Sequence, residues 1–386
     1  MLIYITIFFV VLAWAVSEGQ ESRRGNMAML GVICVGLALF VGMSDMLGGY
    51  DRYIYAALFD EVADNRAFAA PLYESRVWVM YGSEFGYCLL NNAISYVTAN
   101  RYIFIFIVTC IIYVLAFMAI RRTTNSPAMA MLLFLGLYFF FTFTYLRQAV
   151  AVMVAWNAYY YIAERKLLKF LALMFVAYSL HNSAIVFVPM YFMPVRKFSA
   201  GAVIACALVA FLVGLTSVPS TIFELYGDVA DAQMRVEEYI SDFSGESGVF
   251  RIEYLVEAVF FLGVILSQYS HLGQDKREIV MMNAAIVFCM ILLVFLRSLN
   301  GGRLGWTYML GVIITMTTLA SRRSVGSIYR YGLIVLSFGL FMRIIFAWGS
   351  LVTPYKTFLT PGVREGDYIH EHYEYDSRYD EDKFFR

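Results

Sequence analysis

One long apolar stretch decides the fold class of this chain. Residues 127–163 read PAMAMLLFLGLYFFFTFTYLRQAVAVMVAWNAYYYIA, and Arg147 is the only charged side chain among them. The stretch is long enough to cross a bilayer twice. A guanidinium at the centre of a membrane helix costs roughly 2.5–3.5 kcal/mol on insertion scales, and less near an interface. We therefore expect Arg147 to lie at the turn of a membrane hairpin, where it holds an anion.

The composition extends this interpretation to the whole chain. The sequence is 61% hydrophobic and 15% charged, with a mean hydropathy of +0.68. Soluble domains carry about 25% charged residues, so a polytopic, all-α membrane protein is indicated. The cysteines are odd in number and widely spaced, which predicts neither a disulfide framework nor a metal site. They are Cys34, Cys88, Cys110, Cys206 and Cys289.

Apolar windows of about 20 residues predict ten spanning helices. The predicted spans cover residues 2–16, 27–43, 102–119, 128–146, 148–163, 200–218, 252–269, 279–296, 304–320 and 328–347. Residues 167–195 carry basic side chains at both ends, which mark cytoplasmic flanks. We interpret this segment as a hairpin of two short helices with His181-Asn182-Ser183 at its tip, giving 10 to 12 transmembrane segments in all.

Basic pairs in alternate loops set the predicted orientation, since such loops face the cytoplasm. These pairs are Arg23-Arg24, Arg121-Arg122, Arg165-Lys166, Arg196-Lys197, Lys276-Arg277 and Arg322-Arg323. The opposite face then carries two long segments with amphipathic helices, residues 44–101 and 219–251. We expect one membrane domain over residues 1–348 and an exposed, extracytoplasmic polar tail over residues 349–386.

This topology places the unusual polar residues on the outer face. They are Asp51, Arg52, Glu84, Arg147, His181, Arg297 and Arg303. Arginine binds phosphate oxygens through a planar fork and stays charged in a low dielectric, so several arginines suit a pyrophosphate. Histidine near neutral pH accepts a proton from a hydroxyl nucleophile, and a carboxylate is an alternative base.

Each candidate also has a structural interpretation. In this interpretation the Arg147 side chain extends to the membrane interface or pairs with a carboxylate. His181 caps a helix or forms a hydrogen bond with a carbonyl. Arg297 and Arg303 act as interfacial anchors, and Asp51 pairs locally with Arg52. Other chemistries lack their motifs: the sequence has no GxxxxGK[ST] phosphate loop, no HExxH and no GxSxG elbow. The basic pairs are too short to indicate nucleic-acid binding.

Three stretches resemble the EpsG family of exopolysaccharide polymerases, relatives of the Wzy O-antigen polymerases. The first is GYDRYIY at residues 49–55, and the second is EFGY at 84–87 with LLN at 89–91. The third combines LRQA at 146–149, YYY at 159–161, RKLLKF at 165–170 and HNSA at 181–184. The resemblance covers roughly residues 40–195, and the last third matches loosely through Arg303 and Tyr308.

The resemblance implies glycosyl transfer at the outer face of a bacterial cytoplasmic membrane, without a metal or another cofactor. Donor and acceptor are glycans on undecaprenyl pyrophosphate, within membrane lipid, and a chain-length regulator is a further expected partner. In this scheme Arg147 and Arg303 hold the pyrophosphate, and His181 is the general base or orients the acceptor. Asp51 is the second candidate base.

The remaining predicted substrate contacts come from the same scheme. Glu84 binds a sugar, Arg52 and Arg297 support the phosphates, and Tyr308 lies at the substrate site.

Two other function classes remain open at this point. A glycosyltransferase of the GT-C type uses a polyprenyl monophosphate sugar and commonly needs acidic residues in the first outer loop; Asp45 and Asp51 lie there, but not as an adjacent pair. A membrane O-acyltransferase using His181 is a weaker variant. A transporter or flippase would show ionisable residues near the midplane, whereas these lie near one predicted face.

Overall fold

A computed structural model describes residues 1–20, 22–221, 250–298, 300–373 and 375–386. The described residues contain no strand, and 77% of the structure is helical. An isolated antiparallel bridge joins Ser44 and Thr357. The all-α prediction is therefore confirmed. All five cysteines carry free thiols.

The described helices are numbered in chain order. They are α1 Leu2–Ser17, α2 Arg23–Gly42, α3 Tyr50–Ala67, α4 Arg76–Tyr81, α5 Phe85–Ser95, α6 Arg101–Thr123, α7 Pro127–Leu137, α8 Phe141–Thr144, α9 Leu146–Ala163, α10 Leu167–Leu180, α11 Pro189–Phe192, α12 Ala200–Gly214, α13 Ile252–Ser267, α14 Lys276–Val294, α15 Met309–Ser321, α16 Ser327–Trp348, α17 Tyr368–His372 and α18 Arg378–Glu381.

The chain forms two compact units. The first unit comprises residues 1–154, 176–181 and 328–386, and the second comprises 155–175 and 182–327.

Four described helices are long and apolar enough to cross a membrane. They are Arg23–Gly42, Arg101–Thr123, Lys276–Val294 and Ser327–Leu351. A fifth span results if the 3-10 segment Gly301–Thr307 and helix Met309–Ser321, which bend by 61° at their junction, are one broken span. Shorter apolar helices lie between them, so the chain is a membrane protein. The number of ten spans plus a hairpin stays a prediction, and much of the predicted outer segment 219–251 lies outside the described residues.

The span predicted over residues 128–146 is interrupted. Helix α7 ends at Leu137, and α8 covers only Phe141–Thr144. The aromatic run between them packs on itself, with the Phe139 ring centroid 5.0 Å from that of Phe140 and 5.4 Å from that of Phe143. Hydropathy predicts that this run is apolar, but it does not predict the break in the helix. At the break, backbone carbonyl groups lose the N–H groups that would bond to them in a continuous helix.

Arg52 joins three separate stretches of backbone, and one of them is α8, which follows this break. Its Nη1 donates to the carbonyl oxygens of Leu47 at 3.0 Å and Phe143 at 3.3 Å, and its Nη2 donates to that of Val41 at 2.8 Å. Arg52 is fully buried. The neighbouring Gly48 has φ +114°, and a Cβ there would lie 2.8 Å from Thr144 Oγ1. The chain turn before α3 therefore requires glycine and is joined to α8 by one guanidinium.

The tail over residues 349–386 differs from the exposed tail predicted. Its Tyr379 is fully buried and donates to both carboxylate oxygens of Asp60 in α3 at 2.9 Å. Lys383 is 3% exposed and lies 3.2 Å from Asp45. Burial lowers the pKa of Lys383, although Asp45 opposes that shift. The described tail residues thus pack within the first unit. Their polar side chains bind buried carboxylates that lie more than 300 positions earlier in the sequence.

The predicted hairpin tip is found at a helix end. Helix α10 ends at Leu180, and the backbone N–H of His181 makes the last helical hydrogen bond to Ala177 at 3.0 Å. The return half is the second short apolar helix predicted, Asn182–Phe192. Its first part is a 3-10 segment, Asn182–Phe187, and its last turn is α11, which begins at Pro189.

The second unit is held by aromatic side chains that bond to backbone carbonyls. Trp156 Nε1 donates to the carbonyl of Trp306, and Tyr159 donates to that of Thr307, each at 3.0 Å. Both acceptors lie in the 3-10 segment Gly301–Thr307, which therefore has a fixed position on α9 within this unit. Helices α14 and α15 pack closely where Gly311 would place a Cβ 2.6 Å from the Cβ of Ala284.

Candidate functional site

Three charged or titratable side chains meet in the first unit. Arg147 Nη1 donates a hydrogen bond to Glu84 Oε2. The other carboxylate oxygen of Glu84 lies 4.0 Å from Nδ1 of His181. We call Glu84, Arg147 and His181 the carboxylate cluster. The guanidinium and the imidazole therefore both approach the same carboxylate.

Each member of the carboxylate cluster sits at the end of a helix. Glu84 ends the 3-10 turn Gly82–Glu84 and directly precedes α5. Arg147 lies in the first turn of α9, and His181 follows the last residue of α10. Helix ends leave backbone groups unpaired and free the side chains from the helix surface, so three ends together form a polar site within apolar surroundings.

Glycine at position 86 allows two of these ends to approach. A Cβ at Gly86 would lie 2.2 Å from Ser179 Oγ and 3.0 Å from the Ser179 backbone carbon. Glu84 therefore comes close to His181 only because the first turn of α5 has no side chain at this point. This explains the glycine in the EFGY stretch of the sequence.

Gly86→Ala is expected to destabilise the fold by about 1–3 kcal/mol, because the added methyl group forces α5 away from α10. Thermal unfolding in detergent measures this effect. Gly82→Ala is the matched control, since its Cβ would meet the Trp78 ring at an ordinary distance of 3.4 Å. Equal behaviour of the two variants would contradict the close approach.

Burial makes the carboxylate cluster electrostatically strong. The Glu84 side chain is 0% exposed, that of Arg147 is 10% exposed and that of His181 is 17% exposed. A buried carboxylate is tolerated only when paired, and Arg147 supplies the pairing charge. The Tyr81 ring centroid lies 3.8 Å from the Arg147 guanidinium carbon, and that of Tyr87 lies at 5.9 Å, so ring faces further stabilise the cation.

One donor of Arg147 is left over. Its Nε is buried and has no hydrogen-bond partner among the described residues. Unsatisfied buried donors are uncommon and costly, at roughly 1–3 kcal/mol. The guanidinium is thus held in place through Nη1, and its described surroundings do not use all of its donors.

The structure gives Glu84 and Arg52 surroundings that differ from the roles predicted for them. Glu84 has no exposed surface, which favours a positioning role over the predicted sugar contact. Arg52 is occupied by three backbone carbonyls, which favours a structural role over the predicted phosphate contact. Asp51 lies in the first turn of α3 and is partly buried. It precedes Tyr55 by one helical turn, and the Tyr55 ring packs against Tyr87 at 5.9 Å.

The other predicted site residues belong to the second unit. Arg303 lies in the 3-10 segment Gly301–Thr307 and is partly buried, as is Arg297. Tyr308 is 2% exposed, and its hydroxyl donates to the carbonyl of Val186 at 2.8 Å. The ring of Phe187 packs against it at 5.1 Å. Within this unit Tyr308 therefore stabilises the segment that follows His181 in sequence.

Comparison with known proteins decides the family. The family model described as the EpsG family matches residues 27–357. The chain belongs to the EpsG family. Membership makes it a membrane protein of the polysaccharide-polymerase type. No match was found among curated proteins or among solved structures. The matched range of the EpsG family contains every member of the carboxylate cluster.

Sequence reasoning missed two parts of this EpsG family site. The direct pairing of Glu84 with Arg147 joins positions 63 residues apart, and only the EFGY stretch marked the carboxylate as notable. The Tyr81 ring beneath the guanidinium had no signal, because tyrosine is frequent throughout this sequence. Among the described residues, no three His, Cys, Asp or Glu side chains are grouped so that they could hold a metal ion.

Proposed function

We propose that this chain is a membrane polysaccharide polymerase that joins oligosaccharide repeat units linked to undecaprenyl pyrophosphate. The transfer takes place at the extracytoplasmic face of the bacterial cytoplasmic membrane and uses arginine rather than a metal ion as the source of positive charge. The observation that supports it most is the buried carboxylate cluster, which presents a cation with a spare donor beside an imidazole. Membership in the EpsG family supports the same class of reaction.

Arg147 is the proposed contact to the pyrophosphate of the donor. Its Nη1 is held by Glu84, so the plane of the guanidinium is fixed before substrate arrives. The guanidinium positioned in this way is the proposed donor to a phosphate oxygen, and preorganised charge of this kind contributes strongly to catalysis. Arg303 and Arg297, predicted from the sequence, stay further candidate phosphate contacts, and Tyr308 stays a candidate substrate contact.

His181 is the proposed general base. A hydroxyl of the acceptor sugar attacks the anomeric carbon of the donor, and its proton passes to His181. The bond from the anomeric carbon to the pyrophosphate oxygen breaks, and undecaprenyl pyrophosphate leaves with the electron pair. Glu84, whose Oε1 lies 4.0 Å from Nδ1, favours the imidazolium that results. Asp51 stays the second candidate base.

His181→Ala is expected to lower the turnover of lipid-linked oligosaccharide by roughly 10²–10⁴-fold, the usual contribution of a general base. The measurement is polymer formation by the purified chain in nanodiscs. His372→Ala removes an exposed histidine of the tail and serves as the matched control. Normal turnover by His181→Ala would remove this residue from the mechanism.

A further inference from the structure

A separate cavity of about 300 Å³ lies in the first unit. The end of α3, the loop that follows it and the end of α5 form its walls, with polar lining from Asn65, Arg66, Ser75, Asn92 and Tyr96. The volume is at the lower end of the range for small-molecule sites. All five residues lie in the segment 44–101 that the sequence predicts to face outward. We call this space the α5 cavity.

Arg66 gives the α5 cavity an uncompensated positive charge. Its Nε is buried without a hydrogen-bond partner, and no described carboxylate forms an ion pair with it. Its guanidinium carbon lies 5.5 Å from the centroid of the Tyr96 ring. A guanidinium held in this way usually has an anionic partner, because its donors form strong, forked bonds to carboxylate oxygens.

The other lining groups fit a sugar. The side-chain amides of Asn65 and Asn92 make no hydrogen bond to another described residue, although both side chains are half-buried. Amides both donate and accept, as sugar hydroxyls do. Tyr96 is 71% exposed, so its ring offers an apolar face to the C–H groups of a sugar ring. Hydroxyl partners, a ring face and one unpaired cation together describe a site for an acidic sugar.

We propose that the α5 cavity binds one residue of the glycan chain and prefers a sugar that carries a carboxylate, such as a uronic acid. This inference rests on the proposed function, because it places the acceptor glycan. Asn92 lies eight residues beyond Glu84, so about 12 Å of α5 separates the cavity from the carboxylate cluster. A short oligosaccharide held at Arg66 therefore extends along α5 to present its end at His181.

Binding to the purified full chain in nanodiscs tests the inference without catalysis. The probe is a glucuronate-containing tetrasaccharide, and its carboxyl-reduced counterpart is the comparison. The unmodified protein should bind the acidic probe about tenfold more tightly, the difference expected for one charge-assisted contact. Arg66→Gln should abolish this preference, and Tyr96→Ala should weaken both probes. Tyr96→Phe keeps the ring and should keep the binding.

Arg76→Gln is the matched control, since Arg76 lies near the cavity without lining it and its side chain is 71% exposed. Unchanged binding by Arg66→Gln and Tyr96→Ala overturns the proposal, as does a lack of binding by the unmodified protein. Displacement of the probe by inorganic phosphate would instead make the cavity a phosphate site and would also overturn it.

A kinetic arm separates this inference from the proposed function. In the polymerisation assay, Tyr96→Ala should raise KM for the acceptor about tenfold and leave kcat unchanged, since a remote binding contact acts before the chemical step. Failure of the unmodified protein to polymerise, with sugar binding intact, would reject the polymerase and retain the cavity. Normal polymerisation with an unchanged KM in Tyr96→Ala would retain the polymerase and reject the cavity.

Discussion

Arg147→Ala is expected to abolish polymer synthesis. The loss should be at least 10²–10³-fold in kcat, because the variant removes the donor aimed at charge developing on the leaving group. Arg147→Lys should recover little activity, since an ammonium lacks the fork that bonds Glu84 and a phosphate oxygen together. The measurement is chain length and turnover with lipid-linked oligosaccharide, and exposed Arg122→Ala is the control for loss of one positive charge.

The same substitution leaves Glu84 buried without its partner, which costs about 3–5 kcal/mol. Loss of activity in Arg147→Ala alone would therefore not distinguish misfolding from lost chemistry. The double variant Glu84→Gln with Arg147→Met removes both charges and should regain most of the thermal stability. It should remain inactive. Polymers of normal length from this double variant would show that the pair is structural and would reject the assigned role of Arg147.

Asp60→Ala is expected to destabilise the first unit by about 3–5 kcal/mol, the second large effect. Asp60 accepts from Arg101 Nε at 3.0 Å and from the hydroxyl of Tyr379 at 2.9 Å. The Arg101 side chain is only 5% exposed. The variant therefore leaves the Arg101 guanidinium buried without its carboxylate and largely without water. Thermal unfolding of the purified chain in detergent measures this loss.

Tyr379→Phe should cost less, about 1 kcal/mol, because Arg101 keeps its carboxylate when one neutral hydrogen bond is lost. Arg378→Ala is the matched control from the same helix, since its ion pair with Asp376 is largely in solvent. We expect a change within about 0.5 kcal/mol for it. A stability of Asp60→Ala equal to that of this control would contradict a buried clamp between the tail and α3.

The sequence predicted what depends on composition and on local order. Apolar runs of helical length specify helices whatever surrounds them, so the all-α class follows from hydropathy alone. Glu84, Arg147 and His181 are polar residues in or beside apolar runs of the sequence. This contrast predicted that they belong to a functional site. Sequence reasoning identified all three, but it did not identify Glu84 as the group that joins the other two.

What the sequence did not predict depends on contacts between distant segments. The tail was expected to be exposed because it is rich in acidic residues, yet Tyr379, Lys383 and Asp367 are buried. Acidic composition does not reveal which carboxylates meet Arg364 or Lys356 after folding. The break near Tyr138 is similar, because a run of phenylalanine, threonine and tyrosine is apolar enough for a continuous helix. Arg52 looked like an anion ligand for the same reason: its three carbonyl partners come from separate turns.

The position of Arg52 has a consequence for biosynthesis. Its guanidinium is buried and donates hydrogen bonds to the carbonyl oxygens of Val41, Leu47 and Phe143. Phe143 is synthesised about ninety residues after Arg52. Until Phe143 has been synthesised, Arg52 lacks one of these acceptors and stays hydrated. The turn before α3 is therefore expected to reach its final position only after the aromatic run is present. Ribosome-bound intermediates shorter than this should remain accessible to water at Arg52.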